Sequence, residues 1–354
     1  PNARFFPLSG VEAMLAEGVA SFERERAHLG LAADAPMPPA HFLAVSGGGD
    51  DGAFGAGLLV GWGESGTRPE FRLVTGVSTG ALIAPFAYLG KPYDEKLSQV
   101  YTTINADNIF VQRSLLGAIF EDAMADTTPL FEMISLYVDE QMMADIAAEY
   151  EKGRLLLIGS TQLDAQVPVI WNIGAIAASG KPGSLDLIRK ILRASSAVPG
   201  AFQPVLIDVE LDGQKYQELH VDGGAIAQMF VYPPGIHLRD ARPRERHAWL
   251  IRNARQDLAW AETEPRTLSI AGRAISTMIH SSGTNDILRI YFITQRDGVD
   301  YNLAVIGPDF DTPHIADFDP TYMKALYHYG YELGRKGYPW MKMPPGLGQA
   351  AVTN

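Results

Sequence analysis

Apolar positions along this chain follow two rhythms in turn, and their alternation predicts the architecture. Val11, Met14, Leu15, Gly18, Val19 and Phe22 fall at helical spacing, with charged residues opposite them. Ser9 to Glu12 reads S-G-V-E, a capping box at the start of that helix. An amphipathic helical arm is therefore expected over residues 1–36, ended by the Pro/Ala-rich stretch 32–40. Residues 41–46 form a short apolar run that stops at Gly47-Gly48-Gly49-Asp50-Asp51-Gly52. A helical pattern then begins near Ala53 and carries Phe54, Leu58, Leu59 and Trp62. A second apolar run, with Phe71, Leu73 and Val74, enters Gly76-Val77-Ser78-Thr79-Gly80 and passes straight into helix at Ala81. Strand, glycine-rich turn and helix, used twice, predict α/β alternation around parallel strands.

The remaining pattern continues the theme. Residues 93–150 read as mostly helical, 154–159 and 167–171 as strands, and 186–197 as a helix. Strands are expected at 205–211, 216–221, 247–251 and 301–306. Residues 268–296 read as a long helix broken at Ser281-Ser282-Gly283. Asp319 before Pro320 supplies an N-cap and an N1 proline for a last helix that runs to Gly337. No repeat and no shift of composition marks a further unit. The expectation is one domain over residues 37–345, a three-layer α/β/α fold with a mainly parallel central sheet.

The segment around Ser78 carries the sharpest chemical signal. G-x-S-x-G between a strand and a helix is a nucleophile elbow. Gly76 and Gly80 leave room for a turn that other side chains would block. Ser78 then stands at a helix N-terminus, where developing negative charge is favoured.

Two further glycine elements end predicted strands, where sites in open α/β sheets collect. Gly47-x-Gly49-x-x-Gly52 matches a dinucleotide fingerprint literally, but the second strand ends in the serine turn instead of a ribose-binding acid. Asp50 and Asp51 would also repel a pyrophosphate. The better reading is an oxyanion hole made by the amides of Gly47, Gly48 and Gly49, backed by the following helix; the plainer one is a tight β–α turn. Asp222-Gly223-Gly224 reads by itself as a capping or turn aspartate. Beside the other two elements, Asp222 becomes the leading general base, provided burial raises its pKa. His220, His237, His247, His280, His314 and His328 are the candidates for a third member of a triad, and none sits in a short glycine-flanked loop at a strand end. His220, two residues before Asp222, would share its strand face.

The totals narrow the partners. The chain has 354 residues and a net charge of −12, from 29 basic and 41 acidic side chains. That balance argues against nucleic acid and against strong electrostatic docking on anionic membranes. With no cysteine, disulfides, thiolate metal sites and cysteine nucleophiles are excluded. No H-E-x-x-H or comparable cluster points to a metal. No apolar run reaches the roughly 18 residues needed to span a bilayer. The chain opens Pro1-Asn2-Ala3, so upstream sequence carrying any targeting signal is expected to have been removed.

Taken in order, Gly47–Gly52, Gly76–Gly80 and Asp222-Gly223-Gly224 resemble the three motifs of the patatin-like phospholipase family. The runs SGGGDDGAFGAGLL and RASSAVPGAFQPV also look like its bacterial members, and the tail QRDGVDYNLAVIGPDF resembles the same subgroup. The resemblance is firm over about residues 40–235. It implies a lipid acyl hydrolase that works through a Ser78–Asp222 dyad without histidine. The Gly47–Gly49 amides would form the oxyanion hole, Gly52, Gly76, Gly80, Gly223 and Gly224 would support the motifs, and no metal or organic cofactor is required. It implies a lipid or acyl-ester substrate, transient apolar contact with a membrane or lipid aggregate, and export or membrane anchoring through a missing N-terminal segment. Alternatives are a lipid-binding protein that kept the fold without catalysis, and a nucleotide-binding enzyme using the Gly47–Gly52 loop. One departure stands out: the family loop usually has Arg or Lys just before its last glycine, and this chain has Asp51. That departure bears on phospholipid head-group preference more than on ester hydrolysis, so a neutral lipid or a short acyl ester stands beside a phospholipid as a substrate. Phe110, Leu115, Leu116, Ile119 and Phe120 are more apolar than one helix face needs, and are expected to line an acyl cleft or to be core.

Overall fold

The computed structural model describes residues 2–103, 107, 109, 111–112, 125–240, 243–255 and 263–347. The chain runs β1 (Arg4–Phe5), α1 (Glu12–His28), β2 (Ala40–Val45), α2 (Gly52–Glu64), β3 (Leu73–Val77), α3 (Thr79–Leu89) and α4 (Asp94–Thr103). After α5 (Thr128–Tyr137) and α6 (Glu140–Glu151) come β4 (Leu155–Gln162), β5 (Val167–Asn172), α7 (Ile173–Ala178) and α8 (Ser184–Ser195). The rest comprises β6 (Val205–Leu211), β7 (Gln214–Asp222), β8 (Arg246–Arg255), α9 (Thr267–Asp297), β9 (Asp300–Ile306) and α10 (Pro320–Lys336).

Nine strands form one mixed sheet in the order β1-β5-β4-β3-β2-β8-β9, with β7 added to β4 and β6 to β7. The run β4-β3-β2-β8-β9 is parallel, and β1, β5, β6 and β7 join antiparallel. Both faces are covered, because successive side chains along a strand point to opposite sides. Leu43, Val45, Val74, Ile251 and Ala304 enter one core cluster. Ala44, Leu73, Leu250 and Leu303 enter another, with Ile287, Ile290 and Ile293 of α9. This is the three-layer α/β/α arrangement, with a parallel centre and an antiparallel flank.

The C-terminal helix is locked against α2. A Cβ at Gly57 or Gly61 would collide with the Tyr327 or Tyr331 carbonyl, and one at Gly330 or Gly334 with that of Phe54 or Leu58. Four glycines thus let two helix backbones approach closely, which couples the far end of the chain to the helix that follows the glycine loop.

Three local expectations change. Helix α1 forms, but its inward positions are Met14, Glu17, Ser21 and Glu25, while Leu15 and Val19 are exposed. Polar pairing replaces apolar burial: Glu25 accepts from Arg244 at 2.6 and 2.7 Å and pairs with Arg72 at 3.0 Å. Glu17 accepts from Asn2 and Tyr150, each at 2.8 Å. Val11 occupies the N-cap position with no side-chain cap, so the S-x-x-E pattern does not act as a capping box. Helix α9 runs through Gly283 without a break; a Cβ there would collide with the Arg252 guanidinium. That glycine admits a neighbour and does not interrupt the helix. By contrast, Asp319 caps α10 as expected, accepting from the Thr321 N–H at 2.9 Å.

Candidate active site

Strand pairing brings Ser78 and Asp222 together. Strands β3 and β7 approach the same edge of β4 from opposite directions: Val77 lies opposite Gly159 and Asp222 opposite Ser160. Ser78 follows Val77, so the two residues meet where the strands come head to head. Ser78 is buried, with φ 56° and ψ −128°. A non-glycine residue in that region costs on the order of 1–3 kcal/mol and persists only where its surroundings enforce it. Here a Cβ at Gly76 would collide with the Gly80 carbonyl, and one at Gly80 with the Val45 carbonyl, so only glycines let the turn close. The Ser78 N–H donates to Ser195 Oγ at 3.0 Å, and that hydroxyl donates to the Gly159 carbonyl at 2.6 Å.

Asp222 is 4 % exposed. Its N–H donates to the Ala197 carbonyl at 2.8 Å, and its Oδ1 accepts from the Gly224 N–H at 2.6 Å. Oδ2 is buried without a well-formed partner. Burial pushes the carboxyl up to about 6, opposed by the Ser78 hydroxyl and the Gly224 N–H. The Ser78 hydroxyl thus lies near enough to favour the ionised carboxyl, while Oδ2 makes no hydrogen bond.

The glycine loop closes the third side. A Cβ on Gly47 would lie 3.0 Å from Ser78 Cβ and collide with the Gln228 side-chain amide. A Cβ on Gly224 would collide with the same amide, so buried Gln228 sits between the loop and the Asp222 turn. The Gly47 N–H donates to the Gln228 carbonyl at 3.2 Å. This alters the expectation of three equivalent donors: Gly47 is already engaged, and Gly48 and Gly49 are the remaining candidates. Both have positive φ, 157° and 59°, and a Cβ on Gly48 would collide with the Asn253 carbonyl. Buried Asn253 braces this turn, donating to the Ser46 carbonyl at 3.0 Å and accepting from the Gly55 N–H at 3.0 Å. Gly52 packs the start of α2 on Thr79 at the start of α3, which aims two helix N-termini at one region.

Among the described residues no histidine bonds Ser78. His220 is buried between Ser160, at 3.0 Å, and Glu218, at 3.1 Å, and burial lowers its pKa. Phe110, Leu115, Leu116, Ile119 and Phe120 lie outside the described residues. Neighbouring Ile109 is buried in the core. Three supports were not singled out in the sequence: Ser195, Gln228 and Asn253. Only Ser195 had a signal, because it lies within RASSAVPGAFQPV.

A family model for patatin-like phospholipases matches residues 43–233, more than half of the chain. The chain belongs to the patatin-like phospholipase family. Membership brings lipid acyl hydrolysis as the class of activity and lipid esters as the class of substrate. No curated protein matches the chain. Among solved structures, VipD from Legionella pneumophila is similar at 11 % identity and a TM-score of 0.35, covering 85 % of this chain and 67 % of that one. A likeness that distant carries no further argument. The patatin-like match ends at residue 233, short of β8, α9, β9 and α10.

Proposed function

We propose that the chain cleaves carboxylic esters of lipids through Ser78 and Asp222, by way of an acyl-enzyme. The observation that carries this reading is the meeting of a strained, buried serine with a buried carboxylate raised to about 6 and free at Oδ2. In the first half-reaction Asp222 takes the Ser78 proton as Oγ attacks the ester carbonyl. The oxyanion accepts from the Gly48 and Gly49 amides. Collapse expels the alcohol, which takes the proton back from Asp222. Water then attacks the acyl-serine, Asp222 takes its proton, and the second collapse frees the fatty acid and returns the proton to Ser78. Two carboxyl-group roles in one cycle suit a pKa closer to neutrality than the usual carboxylate value.

The test is a series of p-nitrophenyl esters of graded length, together with phospholipids, run on the wild type, Ser78→Ala and Asp222→Asn. Each substitution should lower turnover by about 10⁴-fold, the scale seen when one member of such a unit is lost. A fluorophosphonate probe should label Ser78 in the wild type. Because Asp222 must be ionised to act, kcat/KM should rise through about pH 6. Full turnover by Ser78→Ala would end this reading. Lipid binding without labelling would favour a non-catalytic role.

A further inference from the structure

A loop of three consecutive glycines has the greatest conformational freedom a chain can have. Donors that stabilise a transition state must nevertheless be held in place beforehand. Something has to immobilise Gly47–Gly49, and two carboxylates follow directly. Asp50 Oδ2 accepts from His314 Nε2 and from the Phe318 N–H, each at 2.8 Å. Tyr322 OH donates to Asp51 Oδ1 at 2.6 Å. His314 and Tyr322 pack edge to face at 4.7 Å. The backbone closes the turn, with the Asp51 N–H donating to the Gly48 carbonyl at 3.1 Å.

All three partners lie more than 260 residues further along the chain, on the connection from β9 to α10 and the first turn of α10. That connection is irregular from residue 307 to 319, a length at which loops are usually functional. Phe318 holds a positive φ of 57° while its N–H reaches Asp50, strain that a mere connector would relax. The Phe310 ring packs on Tyr322 at 5.7 Å, and the Phe310 carbonyl accepts from Arg255 at 2.6 Å. The segment is thus held on both sides.

We propose that Asp50 and Asp51 are positioning residues: through His314, the Phe318 N–H and Tyr322 they fix the glycine loop to the C-terminal segment, and that segment sets the geometry of the loop amides. The proposal rests on reading Gly48 and Gly49 as oxyanion donors. It gives a role to an acidic residue where the family resemblance leads one to expect a basic one. The local charges agree with it. The groups facing the two carboxylates are His314, Asp317, Tyr322 and Arg255. Burial, with Asp50 nearby, pushes Asp51 up to about 6 against the Tyr322 hydrogen bond. His314 is lowered by burial but raised more by Asp50, Asp51 and Asp317, with a net upward shift. The ionic part of the Asp50–His314 link is therefore complete below the ordinary histidine value and is lost as pH rises through the raised one.

The experiment compares the wild type with Tyr322→Phe, His314→Ala and the double variant. Tyr329→Phe serves as a control, since it removes a surface hydroxyl that donates to Asp309 on the same connection. Amide hydrogen exchange over residues 46–52 should speed up in the first three variants and stay at the wild-type rate in Tyr329→Phe. On a p-nitrophenyl ester the double variant should lose about tenfold in kcat with little change in KM, because donors misplaced by about 1 Å cost up to about 100-fold. The wild type is expected to lose kcat as pH rises through the raised His314 value, and His314→Ala should lack that fall. Unchanged exchange over 46–52 in the double variant, with residues 307–322 loosened, would overturn the proposal. Tyr322→Phe alone changes one hydroxyl, which keeps the test valid if the double variant does not fold. If the wild type turns over no ester and Ser78 takes no probe, the catalytic reading fails, and the exchange data still decide the tether.

Discussion

The serine turn and the glycine loop flank one site but are secured differently. The turn is written in five residues: Gly76 and Gly80 make room, β3 leads in and α3 leads out. Its side-chain supports include Ser195, which accepts from the Ser78 N–H, and Tyr101, whose hydroxyl meets Thr79 at 2.7 Å. The glycine loop has almost no local restraint. Its shape depends on Gln228, Asn253, His314, Phe318 and Tyr322, which lie some 180 to 270 residues away. A short motif thus suffices to shape the Ser78 turn, whereas the shape of the glycine loop needs the whole sheet and the helix packed behind it.

The contrast can be broken at its distant end. Gly61→Val would drive a branched side chain into the Tyr331 carbonyl and push α10 away from α2. It should cost about 3 kcal/mol or more, the scale of overpacking plus lost helix contact, measured by urea unfolding. Partial unfolding should disturb the loop before the serine turn, seen as faster amide exchange at 46–52 than at 74–80. The reverse order would show that the turn is the weaker element.

Ser195→Ala tests the long-range acceptor of the Ser78 N–H. It leaves the buried Ser78 N–H without an acceptor, a loss of about 1–3 kcal/mol, and should slow probe labelling of Ser78 while leaving loop exchange unchanged. Asp222→Asn acts at the point where the two regions meet. The raised folded value of about 6 means that the charged form is disfavoured by the fold. This destabilisation is absent below about pH 4, grows between pH 4 and 6, and stays constant above. A shift of about two units corresponds to roughly 2–3 kcal/mol at most. The variant should therefore be more stable than the wild type at pH 7 by up to about that amount, with Gly224 still bonded through the amide oxygen. The difference should vanish near pH 4, and equal stability at both values would mean that Asp222 is not desolvated.

Much of this was legible in advance. Strand and helix positions follow from rhythms of two and of three to four, because water penalises exposed apolar surface wherever it lies. The serine turn and the Asp-Gly-Gly segment are legible because glycine is needed where backbones nearly touch, and no other residue can replace it. Helix α1 misleads for the opposite reason. Its buried side includes Glu17 and Glu25 beside Met14 and Ser21, and a carboxylate can go inward only when an arginine, a tyrosine or an amide meets it there. That partner's position is a property of the fold. Gly283 misleads likewise, since a glycine that breaks a helix and one that admits a guanidinium are written with the same letter.

The sequence alone therefore named the candidate residues for chemistry and the local turns they occupy, since these depend on side-chain type and on neighbours a few positions away. Tertiary structure alone decided that β3 and β7 meet head to head on β4, that Gly47 spends its N–H on Gln228, and that two aspartates beside the glycines reach the far end of the chain. Such facts depend on distances in space between residues remote along the chain, and those distances are set only when the sheet closes and both of its faces are covered.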